Sequence, residues 1–349
     1  MTAGRRPLLQ LLPRVPSGVA GVAGVVLLAL AGIWLVVNAA DDPGNFATVV
    51  LIGITNGAIY GLIALGYTLV YGVLELINFA HGDVFMLGGM LTSTLAVGTL
   101  GLVAGESLLV LLPAVLLCLV AAAAFCAAIN AGVELIAYRR LRGGPRLAPL
   151  ITAVGVSFIL QNVGLIWKGP VSVSLPDILP QGAIFEVGRV AYTWDKLIVL
   201  ALTVPVLLGL LALVQGTRQG KAMRATAQDM DAAAMLGVNV DRTISFTFAL
   251  AGALAGVAGV LFALYVTNIR FDTGFQLGLI AFTAAVLGGI GNLTGAVVGS
   301  LVIGLVQACN DGFTWLTPGS DWTQSIVFAI LILILVFRPE GLLGERTPE

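Results

Sequence analysis

The sequence predicts an all-α membrane protein: a polytopic helical bundle of about ten spans, some of them short or broken, with both termini in the cytoplasm. Three observations carry that expectation. Hydrophobic residues make up 58% of the 349 and charged residues only 10%, against roughly 25% charged in a soluble domain. Uncharged runs long enough to cross a bilayer recur along the whole chain. Finally, the 17 Lys and Arg fall on the side that the span count makes cytoplasmic, except for Lys168, Arg189, Lys196 and Arg270.

Residues 1–18 carry Arg5, Arg6 and Arg14 and precede an uncharged run, 19–37. That run is longer than the core of a cleaved signal and is read as a retained first span. Residues 1–44 then form an extra span and an external turn ahead of a main domain, 45–349. Further apolar runs cover 46–72, 84–104 and 108–138, the last ending in Arg139, Arg140, Arg142 and Arg146, a cytoplasmic mark. A fifth run, 147–167, leads to an external loop, 168–196, expected to hold a short helix or hairpin. Runs 197–214 and 244–266 flank a cytoplasmic loop, 216–243. Segment 277–309 is too long for one span and short for two, with GGIGN in its middle. With a last span at 325–337 it must cross twice or dip and return, so two short or broken helices should meet at residues 288–295. Their junction is either part of a transport path or a tight turn near the inner surface.

The loop 216–243 is the longest polar interruption. Helix formers fill 221–236 between Gly220 and Gly237, and Met223, Ala227, Met230 and Ala234 recur at helical spacing. One helix with an apolar stripe is expected, carrying Arg224, Gln228 and Asp231 on another face. Something outside the membrane should dock on it.

Polar residues inside or beside spans mark the candidate path. Glu75, Asn78, His81 and Asp83 lie within nine positions; they either form an interfacial turn, with Asn78 and Asp83 capping helices, or act in gating. Thr55, Asn56, Tyr60 and Tyr67 in the second span, and Gln161 and Asn162 in the fifth, are either interhelical hydrogen-bonding groups or substrate contacts. The candidate pathway and gating residues are Asn56, Tyr67, Asn78, His81, Asp83, Thr283, Gly288, Gly289, Gly291 and Asn292. Leucine at Gly289 or Gly291 is expected to do more harm than leucine at Gly304.

Several activities are excluded. There is no GxxxxGK[ST] phosphate loop, HExxH or GxSxG, so no catalytic residue and no ATPase of its own is expected. Cys118, Cys126 and Cys309 sit in apolar runs and His81 is the single histidine, which leaves no metal site. A net charge of -1 argues against nucleic acid.

Residues 53–89 with NFAHG, 224–263, 282–304 with the AVLGGIG run, and the tail RPEGLLG at 338–344 together resemble the membrane permeases of branched-chain amino-acid ABC importers. The likeness runs from about residue 45 to the tail and is closer to the LivH-type than to the LivM-type subunit. It implies a coupling helix within 224–240, with Arg224, Ala225, Thr226, Gln228, Asp229, Asp231, Leu236 and Gly237 as ATPase-coupling residues. It also implies cytoplasmic ABC ATPase subunits that use ATP and Mg, an external solute-binding protein, and a second permease, LivM-type or another copy. No cofactor would be bound by this chain, which would lie in a bacterial cytoplasmic membrane. A urea or short-amide permease of the same family, and an ion-coupled secondary transporter, are the alternatives.

Overall fold

A computed structural model describes residues 17–141, 145, 147–187, 190–338 and 340–344. The expected basic residues Arg5, Arg6, Arg14, Arg142, Arg146 and Arg189 fall outside these. Twelve α-helices are described: α1 Ser17–Asp41, α2 Pro43–Leu74, α3 Ala80–Ser93, α4 Leu108–Val133, α5 Leu147–Lys168, α6 Trp194–Gly216, α7 Arg218–Gln228, α8 Met230–Met235, α9 Val240–Val266, α10 Thr273–Gly288, α11 Leu293–Gly312 and α12 Thr323–Phe337. Among the described residues, seven helices have the length and hydropathy to cross a membrane. The other three expected spans correspond to α1, α3 and α10. Of these, α3 has 14 residues and runs on into a π-turn, Thr94–Thr99, and α10 has 16 residues.

Small residues decide which helices lie inside. α2, α3, α9, α10 and α11 form the centre, and the residues at their crossings are mostly glycine or alanine. A Cβ on Gly57 of α2 would lie 2.7 Å from the Leu301 Cα of α11, and one on Gly304 of α11 would strike the backbone of Gly57. Backbones this close gain dispersion contacts that lipid cannot match. α4 and α9 meet in the same way at Ala122 and Gly256. The cysteines are buried and free, as packing residues should be, and Cys126 Sγ donates to the Val84 carbonyl at 3.3 Å. Helices α5, α6 and α12 lie outside this centre, their long apolar side chains facing outward.

The two ends of the bundle differ. At one end the 168–196 loop forms a hairpin, β2 Ala183–Val187 with β3 Val190–Thr193. The same loop pairs β1 Val173–Ser174 antiparallel to β4 Asn268–Ile269. The hairpin is one of the two forms expected for this loop. α1 is anchored at this end: Trp34 Nε1 donates to the Trp315 carbonyl at 3.1 Å, and the Trp34 and Phe313 rings meet edge to face. At the other end lie α7, α8, the α10–α11 turn and the tail 338–344.

Candidate functional site

The loop 216–243 departs from the expected single helix. Thr217 caps α7, its hydroxyl accepting from Gly220 N at 3.0 Å. At Asp229 the backbone turns extended (φ -160, ψ 112) and the side chain starts α8 by accepting from Ala232 N at 2.9 Å. Aspartate caps by this competition with the backbone, so the helix breaks there and the phase of the stripe is lost. Met223, Thr226 and Ala233 point inward, whereas Ala227, Met230 and Ala234 are exposed. The expected apolar stripe is therefore corrected. The outward surface combines Arg224, Gln228, Asp229 and Asp231 with Met235 and Leu236, each of the last two 83% exposed. Ala225 is half-buried, and Gly237, at φ 85, turns the chain toward α9. The Arg224 guanidinium is held by the Val214 and Gln215 carbonyls at the end of α6.

Beneath α7 is a cavity of about 600 Å³, lined among others by Gly72 and Val73 of α2, Gln215, Arg224, and Gly291 and Asn292 of the α10–α11 turn. That turn is tight. Asn292 caps α11 through Gly295 N at 3.0 Å and donates to the Leu343 carbonyl at 2.7 Å. Leu342 N and Leu343 N reach the Leu287 and Gly288 carbonyls at 2.8 and 3.0 Å. The tail therefore straps Gly288, Gly289, Gly291 and Asn292 at the α7–α8 end, which is the tight-turn reading of this junction. Gly289, at φ 105, has the Gly344 backbone within 3 Å of where a Cβ would lie, and Gly291, at φ 96, faces open space but holds a backbone conformation that side chains disfavour; Gly304 has no room for a side chain either, so the tolerance expected there is corrected.

A second group lies deep in the bundle. The chain leaves α2 through Glu75 in the left-handed region (φ 53) and re-enters, so that α3 begins against Gly66, where a Cβ would collide with the His81 imidazole. Gly66 is eight residues from the end of α2, about 12 Å at ~1.5 Å per residue. Irregular backbone at such depth is tolerated when protein surrounds it. Asn78, 1% exposed, donates to Asn130 Oδ1 at 3.3 Å and accepts from the Tyr138 hydroxyl at 3.1 Å. Asn130 in turn donates to the Phe248 carbonyl at 2.7 Å. This joins α4 and α9 to the segment before α3. Neither Asn78 nor Asp83 caps a helix, because Phe79 holds the N-cap position of α3 without a side-chain bond. The interfacial-turn reading is corrected.

His81 and Asp83 are fully buried. The Ile63 carbonyl lies beside the imidazole, yet neither ring nitrogen has a partner of hydrogen-bond geometry. The Tyr67 ring meets the imidazole edge to face at 4.9 Å and Phe282 at 6.0 Å. Asp83 Oδ2 accepts from Ser157 of α5, and its Oδ1 has no partner. Thr283 donates to the Leu279 carbonyl of its own helix at 2.9 Å. Tyr67, Asn78, His81, Asp83 and Thr283 therefore belong to the deep part of the bundle. Asn56, half-buried, lies on the opposite half of α2 near Thr55, whose hydroxyl meets Tyr192 of the hairpin at 3.2 Å. Sequence reasoning missed Asn130, Tyr138 and Ser157. An asparagine alone in the 26-residue apolar run of α4 was the available signal.

The profile described as "Branched-chain amino acid transport system / permease component" matches residues 49–336. The chain belongs to that family. The high-affinity branched-chain amino acid transport system permease protein BraD of Pseudomonas aeruginosa is 38% identical over 302 residues, covering 85% of this chain and 95% of that one. Its Escherichia coli K12 counterpart, LivH, is 36% identical over 304 residues with the same coverage. A shorter likeness, 31% over 139 residues, is to the autoinducer 2 import system permease protein LsrC of Yersinia pseudotuberculosis; it covers 39% of this chain and 40% of that protein. No solved structure matches. As a member of a transport permease family the chain is a multi-pass membrane transport component rather than an enzyme. The family match takes in α7–α8, the α10–α11 turn and the deep polar group, and it begins after α1.

Proposed function

We propose that this chain is the permease subunit of an ATP-driven importer for branched-chain or other hydrophobic amino acids in a bacterial cytoplasmic membrane. Membership of the permease family supports the role, and BraD and LivH, the relatives matched over most of their length, supply the substrate class. An external solute-binding protein delivers substrate, and separate cytoplasmic ABC subunits hydrolyse ATP with Mg. A LivM-type permease, or a second copy of this chain, completes the pore. Residues 45–349 form the permease domain behind an extra retained span. The ten crossings are α1–α6 and α9–α12, with both termini inside, the 168–196 loop outside and the 216–243 loop inside.

The observation that carries the coupling role is the exposed α7–α8 surface, with Met235 and Leu236 projecting beside Arg224, Gln228, Asp229 and Asp231. Exposed apolar side chains ringed by polar ones suit a protein partner. Arg224 ties this surface to the end of α6, and the cavity beneath it adjoins the α10–α11 turn. ATPase subunits that grip α7–α8 differently in their two states would shift the inward–outward equilibrium by that difference. Tyr67, Asn78, His81, Asp83 and Thr283 line or gate the path, while Gly288, Gly289, Gly291 and Asn292 transmit the movement.

Uptake of labelled leucine into proteoliposomes holding the full complex tests this reading. Uptake should require ATP and every subunit. Uptake by the chain alone, driven by an ion gradient, would instead establish a secondary transporter.

A further inference from the structure

Asp83 is a carboxyl group with an unfilled position. It lies in the first turn of α3 and is fully buried. Ser157 Oγ donates to Oδ2, Gln161 Nε2 donates to that serine at 3.2 Å and lies beside the carboxyl, and Oδ1 has no partner of hydrogen-bond geometry. Ser157 is the eleventh of the 22 residues of α5, about 15 Å from either end at ~1.5 Å per residue. Asp83 is therefore near the middle of the bilayer, where an ionised carboxylate demands a cation. The ion pairs formed among the described residues, Arg139 with Glu134 and Arg270 with Asp272, do not involve it.

The surroundings of Asp83 add a second, independent feature. Met86 and Met90 follow at the three- and four-residue steps that keep side chains on one face of a helix. Both are buried, and both face Gly164 of α5, where a Cβ would sit 3.0 Å from Met86 Cε. Methionines are the apolar side chains that re-pack most easily around an apolar guest. α5 contributes only a narrow inner stripe to this seam, Ala153, Ser157, Leu160 and Gly164. Gln161 is half-buried at the edge and Asn162 exposed beyond it, so polar groups lead from the Asp83 carboxyl to the outer surface of α5.

We infer that the α3–α5 seam is a mid-membrane substrate site, in which Asp83 Oδ1 accepts the ammonium of an amino acid while Met86 and Met90 receive its apolar side chain. This rests on the importer reading above and specifies where the cargo is held. Substrate enters when α5 separates from α3, and the ammonium replaces nothing, since Oδ1 is unpartnered in the closed seam.

The test uses the reconstituted complex and labelled leucine, with co-purification of the subunits as the control for assembly. Asp83→Asn keeps size and Ser157 contact but cannot balance a cation, and should lower uptake by about tenfold or more. Asp83→Glu should keep most of it. Gln161→Lys places a tethered ammonium within reach of Asp83 and should block uptake in an assembled complex; this arm also decides the matter if Asp83→Asn fails to assemble. Wild-type uptake in either Asp83→Asn or Gln161→Lys would overturn the inference, as would equal loss in Asp83→Asn and Asp83→Glu, which marks a carboxyl needed for its fit in the fold rather than for its charge. Absence of ATP-dependent leucine uptake in the wild-type complex would instead overturn the importer reading.

Discussion

Helix α2 and the segment Ser320–Phe337 that contains α12 are equally apolar, yet 72% of the most apolar stretch of α2 is buried inside the protein and 11% of that segment. Hydropathy puts a helix into the bilayer and says nothing about its neighbours. What separates the two is glycine: α2 has six and α12 none. Glycines at 53 and 57 let α11 approach backbone to backbone, while α12 turns Ile332, Leu333, Leu335, Val336 and Phe337 outward. In lipid, where apolar surface gains little by leaving one oily medium for another, close packing decides which helix is central.

Substitutions can break this contrast. The largest effect is expected at the α2–α11 seam: Gly57→Leu or Gly304→Leu forces backbones apart and should cost about 3 kcal/mol or more, seen as loss of folded protein in detergent. Gly155→Leu on α5, where nothing lies within 4 Å, should purify like the wild type. If Gly57→Leu and Gly155→Leu behave alike, close packing does not organise the bundle. Next comes Asn130→Leu, which strips the Phe248 carbonyl and Asn78 of a partner and should lower the thermal midpoint by an amount equivalent to about 1–3 kcal/mol. Asn162→Leu, whose amide bonds only its own helix at Phe158, should leave the midpoint in place.

The smallest effect sharpens the comparison from outside the spans. The Arg270 guanidinium bonds Asp272 and holds its carboxyl below the usual carboxylate range. A lowered value means that any stabilisation is present above that range and fades as pH falls through the lowered value. The pair is solvent-exposed, so Asp272→Asn should leave the thermal midpoint at neutral pH unchanged. A clear drop would show that hairpin-end electrostatics rival core packing.

Composition and run lengths were enough to read the class, the α10–α11 junction and the polar loop 216–243 from the sequence. Depth was not legible, because it depends on one backbone turn: with Glu75 in the left-handed region, the chain carries His81 and Asp83 back inside instead of leaving them at the surface. Phase was lost at Asp229, where a capping side chain outcompeted the helical repeat assumed from Met223 to Ala234. The tolerance expected of Gly304 failed because a helix seam is a contact between distant parts of the chain, and nothing local to Gly304 announces Gly57. Asp83 was visible as a charge, but its partner Ser157 is 74 residues away.

The central claim is that this permease is driven from α7–α8 by separate ATPase subunits. Its most direct test is binding-protein-stimulated ATP hydrolysis by the reconstituted complex carrying Met235→Glu with Leu236→Glu, two positions whose side chains are mostly exposed. Stimulated hydrolysis and leucine uptake should fall together by about tenfold or more, while leucine binding to the external protein is unchanged. Wild-type stimulation in that double variant, with the subunits assembled, would contradict the coupling assignment.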